Sequence, residues 1–384
     1  MKFIHLGDLH IGKTLGDYNL IDDQKYLLDQ ILDLINERSV DAVLIAGDVY
    51  DKSQPSEPAV ELLDYFLSRL AENGTKAFII SGNHDSDERL NYGRKFFAGR
   101  GIQIVSKFTG ELEKFELEDD YGKLNVCLLP FIKASQVRHY YPEEEIGSYD
   151  DAVRTVITHA DVDLNERNIL VAHQFVVGET DPAIAGSEGS MVTNVGLVEK
   201  ISCESLKDFD YVALGHLHSA QWVGYENIRY SGSLLKYSLS EANSPKSIPV
   251  ITFNGKGNME IELVPLKPMR DLRHITGKLD QLLASENVTD TDDYMYVTLT
   301  DEDVINDAMG IIQHYYPNTI KLDYRNSHTR ELDDFSIGEI EDSKSFDELI
   351  SDFYKKIYGK DISDEELEIM MSVAREAGVV HEAD

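Results

Sequence analysis

Residues 41–51 read DAVLIAGDVYD. The apolar run from Ala42 to Ala46 is too short for a buried helix and stops at Gly47-Asp48, so it reads as a strand covered on both faces. Four more stretches share this form: KFIHLG at 2–7, KAFIISG at 76–82, NILVAH at 168–173 and DYVALG at 210–215. Between them, residues 22–38 set Leu27, Leu28, Ile31, Leu32 and Ile35 on one helical stripe. Residues 57–72 do the same with Val60, Leu63, Phe66, Leu67 and Leu70. Strands alternating with helices predict an α/β layered core. Two hairpins, 111–118 with 123–129 and 248–253 with 259–264, are expected to add antiparallel edges around Asp119-Asp120-Tyr121-Gly122 and Asn254-Gly255-Lys256-Gly257-Asn258.

Beyond Pro265 and Pro268, LRHITGKL, YMYVTLT, DVINDAMGIIQHYY and TIKLDYR predict a small α+β unit. The last 54 residues hold 17 acidic and 5 basic side chains and two capping boxes, Ser345 with Glu348 and Ser363 with Glu366. They predict a helical pair with apolar faces Phe346, Leu349, Ile350, Phe353, Ile357 and Leu367, Met370, Met371, too little chain for a core of its own, so the faces are expected to dock on a partner or, as the alternative, on the body of the protein. The expected divisions are 1–268, 269–330 and 331–384. With 384 residues, 42% hydrophobic and 28% charged, the chain has material for two or three domains, and disordered, collagen-like and disulfide-framework classes are excluded. No apolar window reaches membrane-span length and no signal-like start is present, so the cytoplasm is the expected location. Cys127 and Cys203 are read as reduced packing residues.

The polar residues at the ends of the five runs carry the chemistry. They are Asp8 and His10 in GDLH, Asp48 in GDVYD, Asn83 and His84 in GNHD, His173 in VAHQF, and His216 and His218 in GHLH. Ligands of α/β sheets gather at the carboxyl ends of strands, so these residues can converge. Asp8 with His10, and His216 with His218, are expected to point the same way in extended backbone. Five of the twelve histidines lie in this pattern. Seven ligands exceed one tetrahedral zinc and suit two divalent ions bridged by Asp48; mixed Asp, Asn and His donors favour Mn²⁺, Fe or Zn over magnesium. The ions also answer the net charge of −34, which argues against unaided binding to nucleic acid. Two carboxylates and two divalent cations leave the site positive enough to hold a phosphate diester.

D-x-H, GD, GNHD, H and GHxH in this order resemble the calcineurin-like metallophosphoesterases, and GDLHIGKTL, GDVYDKSQPS and GHLHSAQ resemble the SbcD nuclease family within them. The resemblance implies a four-layered sandwich with a smaller α+β capping domain and a C-terminal helical pair. It implies a metal-dependent DNA nuclease subunit with endonuclease and 3′–5′ exonuclease activity on ends and hairpins, using two divalent ions, most simply Mn²⁺. It assigns Asp8, His10, Asp48 and His218 to one ion and Asp48, Asn83, His173 and His216 to the other. His84 is left to stabilise the transition state or protonate the leaving oxygen; Asp85, next in sequence, is either the carboxylate that orients its imidazole or a solvated turn residue. Archaeal relatives carry a second catalytic histidine where this sequence has Asp51, which is expected to be a loop acid.

After GNHD, Arg89, Arg94, Lys95 and Arg100 alternate with Tyr92, Phe96 and Phe97 and are candidates for DNA contact. Lys13, Lys52, Lys133, Arg138, Lys236 and the backbone of YSGSL at 230–234 are weaker ones. No GxxxxGK[ST] is present, so ATP would be bound by a partner. The resemblance names it as an SbcC-type coiled-coil ATPase, in a heterotetramer built on a homodimer of this chain.

Overall fold

A computed structural model describes residues 1–186, 200–327, 347, 350, 351, 354, 355 and 361–376. The chain divides into two compact units. One comprises Met1–Ile275, Thr289–Tyr296 and Ile311–Lys321; the other comprises Thr276–Val288, Val297–Gly310 and Leu322–Asp384.

In the first unit the longer strands are β1 (Lys2–Leu6), β2 (Ala42–Ala46), β3 (Lys76–Ile80), β4 (Ile102–Val105), β5 (Glu113–Asp119), β6 (Gly122–Leu129), β7 (Arg167–His173), β8 (Tyr211–Gly215), β9 (Gln221–Val223), β10 (Tyr225–Tyr230), β11 (Ser247–Phe253) and β12 (Met259–Pro265). One sheet runs β12-β11-β1-β2-β3-β4, the other β9-β10-β8-β7-β6-β5. All five apolar runs lie in the parallel centres of these sheets, and the hairpins β5–β6 and β11–β12 supply antiparallel edges.

Side-chain alternation along the strands makes the layers. In β2, Ala42, Leu44 and Ala46 face a core shared with Val126, Leu128, Ile169, Val171 and Ala213 of the second sheet. Val43 and Ile45 face the opposite way, onto α1 (Ile21–Arg38) and α2 (Glu57–Asn73). The outer face of the second sheet is covered by helices α5 (Ala134–Tyr140) and α6 (Tyr149–Thr158), which follow two short helices, α3 (Asp87–Leu90) and α4 (Arg94–Ala98). The unit is therefore a four-layered α/β/β/α sandwich. The α1 stripe is buried as expected, but on α2 Val60 is exposed and Ala59 and Leu62 are buried in its stead. At 3.6 residues per turn the covered stripe runs through 59, 62, 63, 66, 67 and 70, and residue 60 falls beyond its edge.

Strands β13 (Leu272–Gly277), β14 (Tyr294–Leu299) and β15 (Thr319–Tyr324) form a small sheet in that order, with α7 (Leu279–Leu282) and α8 (Ala308–Tyr315) between them in sequence. Of the C-terminal helices, α9 (Asp364–Glu376) starts at the expected capping box: Glu366 N–H donates to Ser363 Oγ at 3.3 Å, and Ser363 N–H to Glu366 Oε2 at 3.0 Å. Leu367 and Met371 are half-buried, whereas Ile369 and Val373, not part of the expected face, are 65% and 61% exposed and Met370 is 39% exposed. Ser345, Phe346, Glu348, Leu349, Phe353 and Ile357 lie outside the described residues; Ile350 is half-buried. Among the described residues no helix is long and apolar enough to cross a membrane.

Candidate metal centre

The site forms where β1, β2, β3, β7 and β8 end side by side. Its loops are tied across the sheet by backbone: Asp8 N–H donates to Gly47 O at 3.1 Å, His10 N–H to Asp48 O at 2.9 Å and Ile11 N–H to Val49 O at 2.9 Å. The sequence predicts that the i, i+2 pairs converge through extended backbone, and the structure contradicts this. Asp8, His10 and Asp48 sit at φ of 52°, 44° and 47°, and His216 at 105°. Among the described residues, four of the eight non-glycine residues with positive φ are thus site residues, and strain of this kind persists where surrounding contacts enforce it.

The glycines before the ligands are there for space. A Cβ on Gly82 would stand 2.1 Å from Asp48 Oδ1, and one on Gly215 would stand 1.9 Å from Ala46 O. The strand ends therefore approach so closely that only Gly-Asp, Gly-Asn and Gly-His pairs bring all their side chains to one point.

Those side chains fall into two overlapping groups. Asp8, His10 and His218 offer ligand atoms within 4.8 Å of one another, and so do Asp8, Asp48 and His173. His10 Nε2 faces His218 Nε2 at 3.0 Å and Asp48 Oδ2 at 3.7 Å. His173 Nε2 lies 3.4 Å from Asp48 Oδ2 and 3.0 Å from Asn83 Oδ1, which is 3.1 Å from His216 Nδ1. All seven expected ligands are brought together; Asp8 is common to both groups, and Asp48 belongs to the group with His173. This is a set of nitrogen and oxygen donors without a thiol, buried except for half-buried Asn83 and His216.

The electrostatics suit cations. Burial holds His10 below the ordinary imidazole range and, with His173 nearby, takes His216 down to about 3. Burial and His10 hold His218 well below it. Neutral rings offer lone pairs. Burial acts in the same direction on His173, but Asp48 outweighs it and lifts His173 to about 9, while burial of Asp48 is overcome by His173 and His10 so that its carboxyl stays ionised. Without an ion, His173 carries the positive charge that the carboxylates require.

His84 belongs to neither group. Its backbone N–H donates to Asp48 Oδ1 at 2.9 Å, its Nδ1–H to Asp51 O at 3.2 Å, and its half-buried ring stands edge-on to His10 with centroids 5.0 Å apart. The carbonyl of Asp51 thus takes the place expected for Asp85. Asp85 instead accepts backbone N–H groups from Val49, Tyr50 and Gly82 at 3.0, 2.9 and 2.9 Å, pinning the GD and GNHD loops together. Its pKa is pushed up to about 6 by burial and by Asp48.

Other candidates are already engaged. Arg94 pairs with Glu113, Lys13 with Asp51, Lys236 with Asp271, and Arg138 donates to Ile146 O. Backbone N–H groups of Ser231 and Ser233 are bonded to Leu214 O and His218 O. Arg89 and Lys95 are exposed beside exposed Tyr92 and Phe96, while Leu90 is buried. His5, given no role, is buried on Tyr211 Oη and Leu214 O, and both cysteines are free and buried.

Three supports were not anticipated. Gln24 Nε2 donates to His10 O at 2.7 Å and its Oε1 accepts Gly12 N–H at 3.0 Å. Tyr237 Oη donates to Leu9 O at 2.7 Å, and buried Lys246 Nζ to His218 O at 2.9 Å. Gln24 was visible in principle as a polar member of the stripe that continues through Leu27, Leu28 and Ile31; Tyr237 and Lys246 had no periodic signal.

A family model described as calcineurin-like phosphoesterase matches residues 1–220, and one described as type 5 capsule protein repressor C-terminal domain matches 268–358. The SbcD subunit of the nuclease SbcCD from Staphylococcus epidermidis is 33% identical over 368 residues, which are 94% of this chain and 95% of that protein. The chain belongs to the SbcD family of calcineurin-like phosphoesterases. All seven candidate ligands and His84 of this SbcD-family chain lie inside the phosphoesterase match. Two solved structures are similar in part: a dimetal phosphatase from Danio rerio (12% identity, TM-score 0.40, 69% of this chain and 96% of that one) and GAP50 of Plasmodium (14%, 0.39, 70% and 89%). Likenesses this slight do not bear on activity.

Proposed function

We propose that this chain is the nuclease subunit of an SbcCD-type complex, a metal-dependent hydrolase that cuts DNA at ends and hairpins as an endonuclease and 3′–5′ exonuclease. The observation that supports it most is the joining of two ligand groups from four strand ends in a chain that aligns with a nuclease subunit along 95% of that protein. Asp8, His10, Asp48 and His218 would hold one divalent ion and Asp48, Asn83, His173 and His216 the other, with Mn²⁺ as the ion. Bound there, two divalent ions lower the pKa of water and offset the charge on a phosphate diester. His84 keeps Nδ1–H on the Asp51 carbonyl, so Nε2 is the atom that, when the ring is the imidazolium, would pass its proton to the leaving oxygen. Asp85, through its three backbone bonds, keeps Asp48 and His84 in register.

The working division is a nuclease domain at 1–268, a capping domain at 269–330 and an acidic linker with partner-binding helices at 331–384. DNA is contacted from Arg89 and Lys95, while most DNA affinity comes from an SbcC-type coiled-coil ATPase, as suits a chain of net charge −34. Two copies of each subunit make up the assembly, in the cytoplasm. The test is cleavage of hairpin-ended DNA and of a small chromogenic diester, in Mn²⁺ or EDTA, by the chain alone and with the ATPase. Manganese-dependent cutting of DNA that becomes ATP-dependent on duplex ends with the partner is expected. Hydrolysis of the small diester alone would replace the nuclease by a small-substrate phosphodiesterase.

Two further results are expected. Ile369→Asp with Val373→Asp, at two exposed apolar positions, should leave Mn²⁺-dependent cleavage of single-stranded DNA within about twofold and abolish pull-down of the ATPase; intact pull-down would remove α9 from the docking surface. The second concerns pH. His173 is protonated below about pH 9 in the ion-free protein, so an ion must displace that proton. Affinity for Mn²⁺ should therefore rise about tenfold per pH unit between about 7 and 9 and then level. Calorimetric titration in buffers of different ionisation enthalpy reads the released proton, and a flat affinity would show that His173 is already neutral.

A further inference from the structure

His10 turns Nε2 towards His218 and Nδ1 into the protein. Nδ1 is buried and has no hydrogen-bond partner at normal length. A neutral imidazole that gives the Nε2 lone pair to a cation carries its one hydrogen on Nδ1, and a buried N–H without an acceptor is costly. The group facing it is Asp51 Oδ1, 3.5 Å away on a side chain 11% exposed. Backbone holds it there: Ile11 and Tyr50 form an isolated parallel bridge, and Asp51 N–H donates to Ile11 O at 3.2 Å. Lys13 Nζ, itself over the Tyr237 ring, binds the same Oδ1 at 2.7 Å.

We propose that Asp51 is a positioning residue for His10: its Oδ1 takes the Nδ1 hydrogen, fixes the ring with Nε2 towards the metal centre and sets the affinity of the ion held by Asp8, His10 and His218. This rests on the reading that His10 is a metal ligand, and it replaces the expectation of a passive loop acid. The bond to His84 comes from the Asp51 carbonyl, so side-chain substitution separates the two contacts.

The experiment is calorimetric titration of the chelator-stripped full chain with Mn²⁺. Asp51→Leu, branched at Cγ like aspartate but without an acceptor, should weaken one of two ions by about 10–100-fold and leave the other within about twofold. Asp51→Asn, whose Oδ1 still accepts, should stay within about fivefold of the parent protein for both. Equal weakening by Leu and Asn, or no weakening by Leu, overturns the proposal. A parent chain that binds fewer than two ions overturns the metal reading itself, which is a different failure. Independently of any variant folding, ¹⁵N-histidine spectra of the Zn²⁺-loaded parent should show a hydrogen on His10 Nδ1; a hydrogen on Nε2 overturns the assignment.

Discussion

His84→Ala is expected to retain both Mn²⁺ ions and to lower diester cleavage by about 10²–10⁴-fold, the range of a lost general acid. The hydrogen bond His84 makes to the candidate ligands is from its backbone N–H to Asp48 Oδ1, which alanine keeps. What alanine removes is a half-buried ring whose Nδ1–H is held by Asp51 O and whose plane is set edge-on to His10. That ring is not among the atoms of either ligand group. Titration with Mn²⁺ and single-turnover cleavage of one DNA substrate, done on the same preparation, separate the outcomes. Loss of an ion would make His84 a ligand. An unchanged rate would leave the centre without its proton donor and shift that task elsewhere.

Gly82→Ala is expected to be among the most damaging one-carbon additions at the metal centre. Its Cβ would meet Asp48 Oδ1 at 2.1 Å, Asp48 N at 2.4 Å and Asp48 Cγ at 2.7 Å, so neither the carboxylate nor the backbone can yield without leaving the site. Overpacking of this kind costs about 1–3 kcal/mol and more where backbone is the obstacle. Because Asp48 is the residue shared by the two proposed ion sites, both ions should be lost together. Gly99→Ala is the control, since its Cβ would find Phe96 O at an ordinary 3.6 Å. Urea denaturation with Mn²⁺ titration reads both effects, and a Gly82→Ala chain that binds two ions with its stability intact would refute the crowding argument.

What could be read from the sequence was what local chemistry decides. An apolar run short enough to be a strand, closed by glycine or a metal-capable side chain, occurs five times, and each signal is complete within a few residues. The α/β class, the hairpin edges, the list of candidate ligands and the Ser363–Glu366 capping box all follow from such windows.

The rest depended on residues far apart in the chain. Left-handed φ at Asp8 and His10, and positive φ at His216, are imposed by neighbouring strands, and no spacing rule distinguishes them from extended backbone. The Asp51 carbonyl, not Asp85, meets His84, and Asp85 ties the GD and GNHD loops, because those loops meet only in the folded sheet. Along α9 the apolar residues cover more than one face, and periodicity does not tell which of them are covered; Ile369 and Val373 are exposed. Sequence determined which groups the protein has for its chemistry, since ligand type and strand burial are properties of short segments. Tertiary structure alone decided which atom of each group points inward and what holds it there, since those contacts join residues up to 228 positions apart.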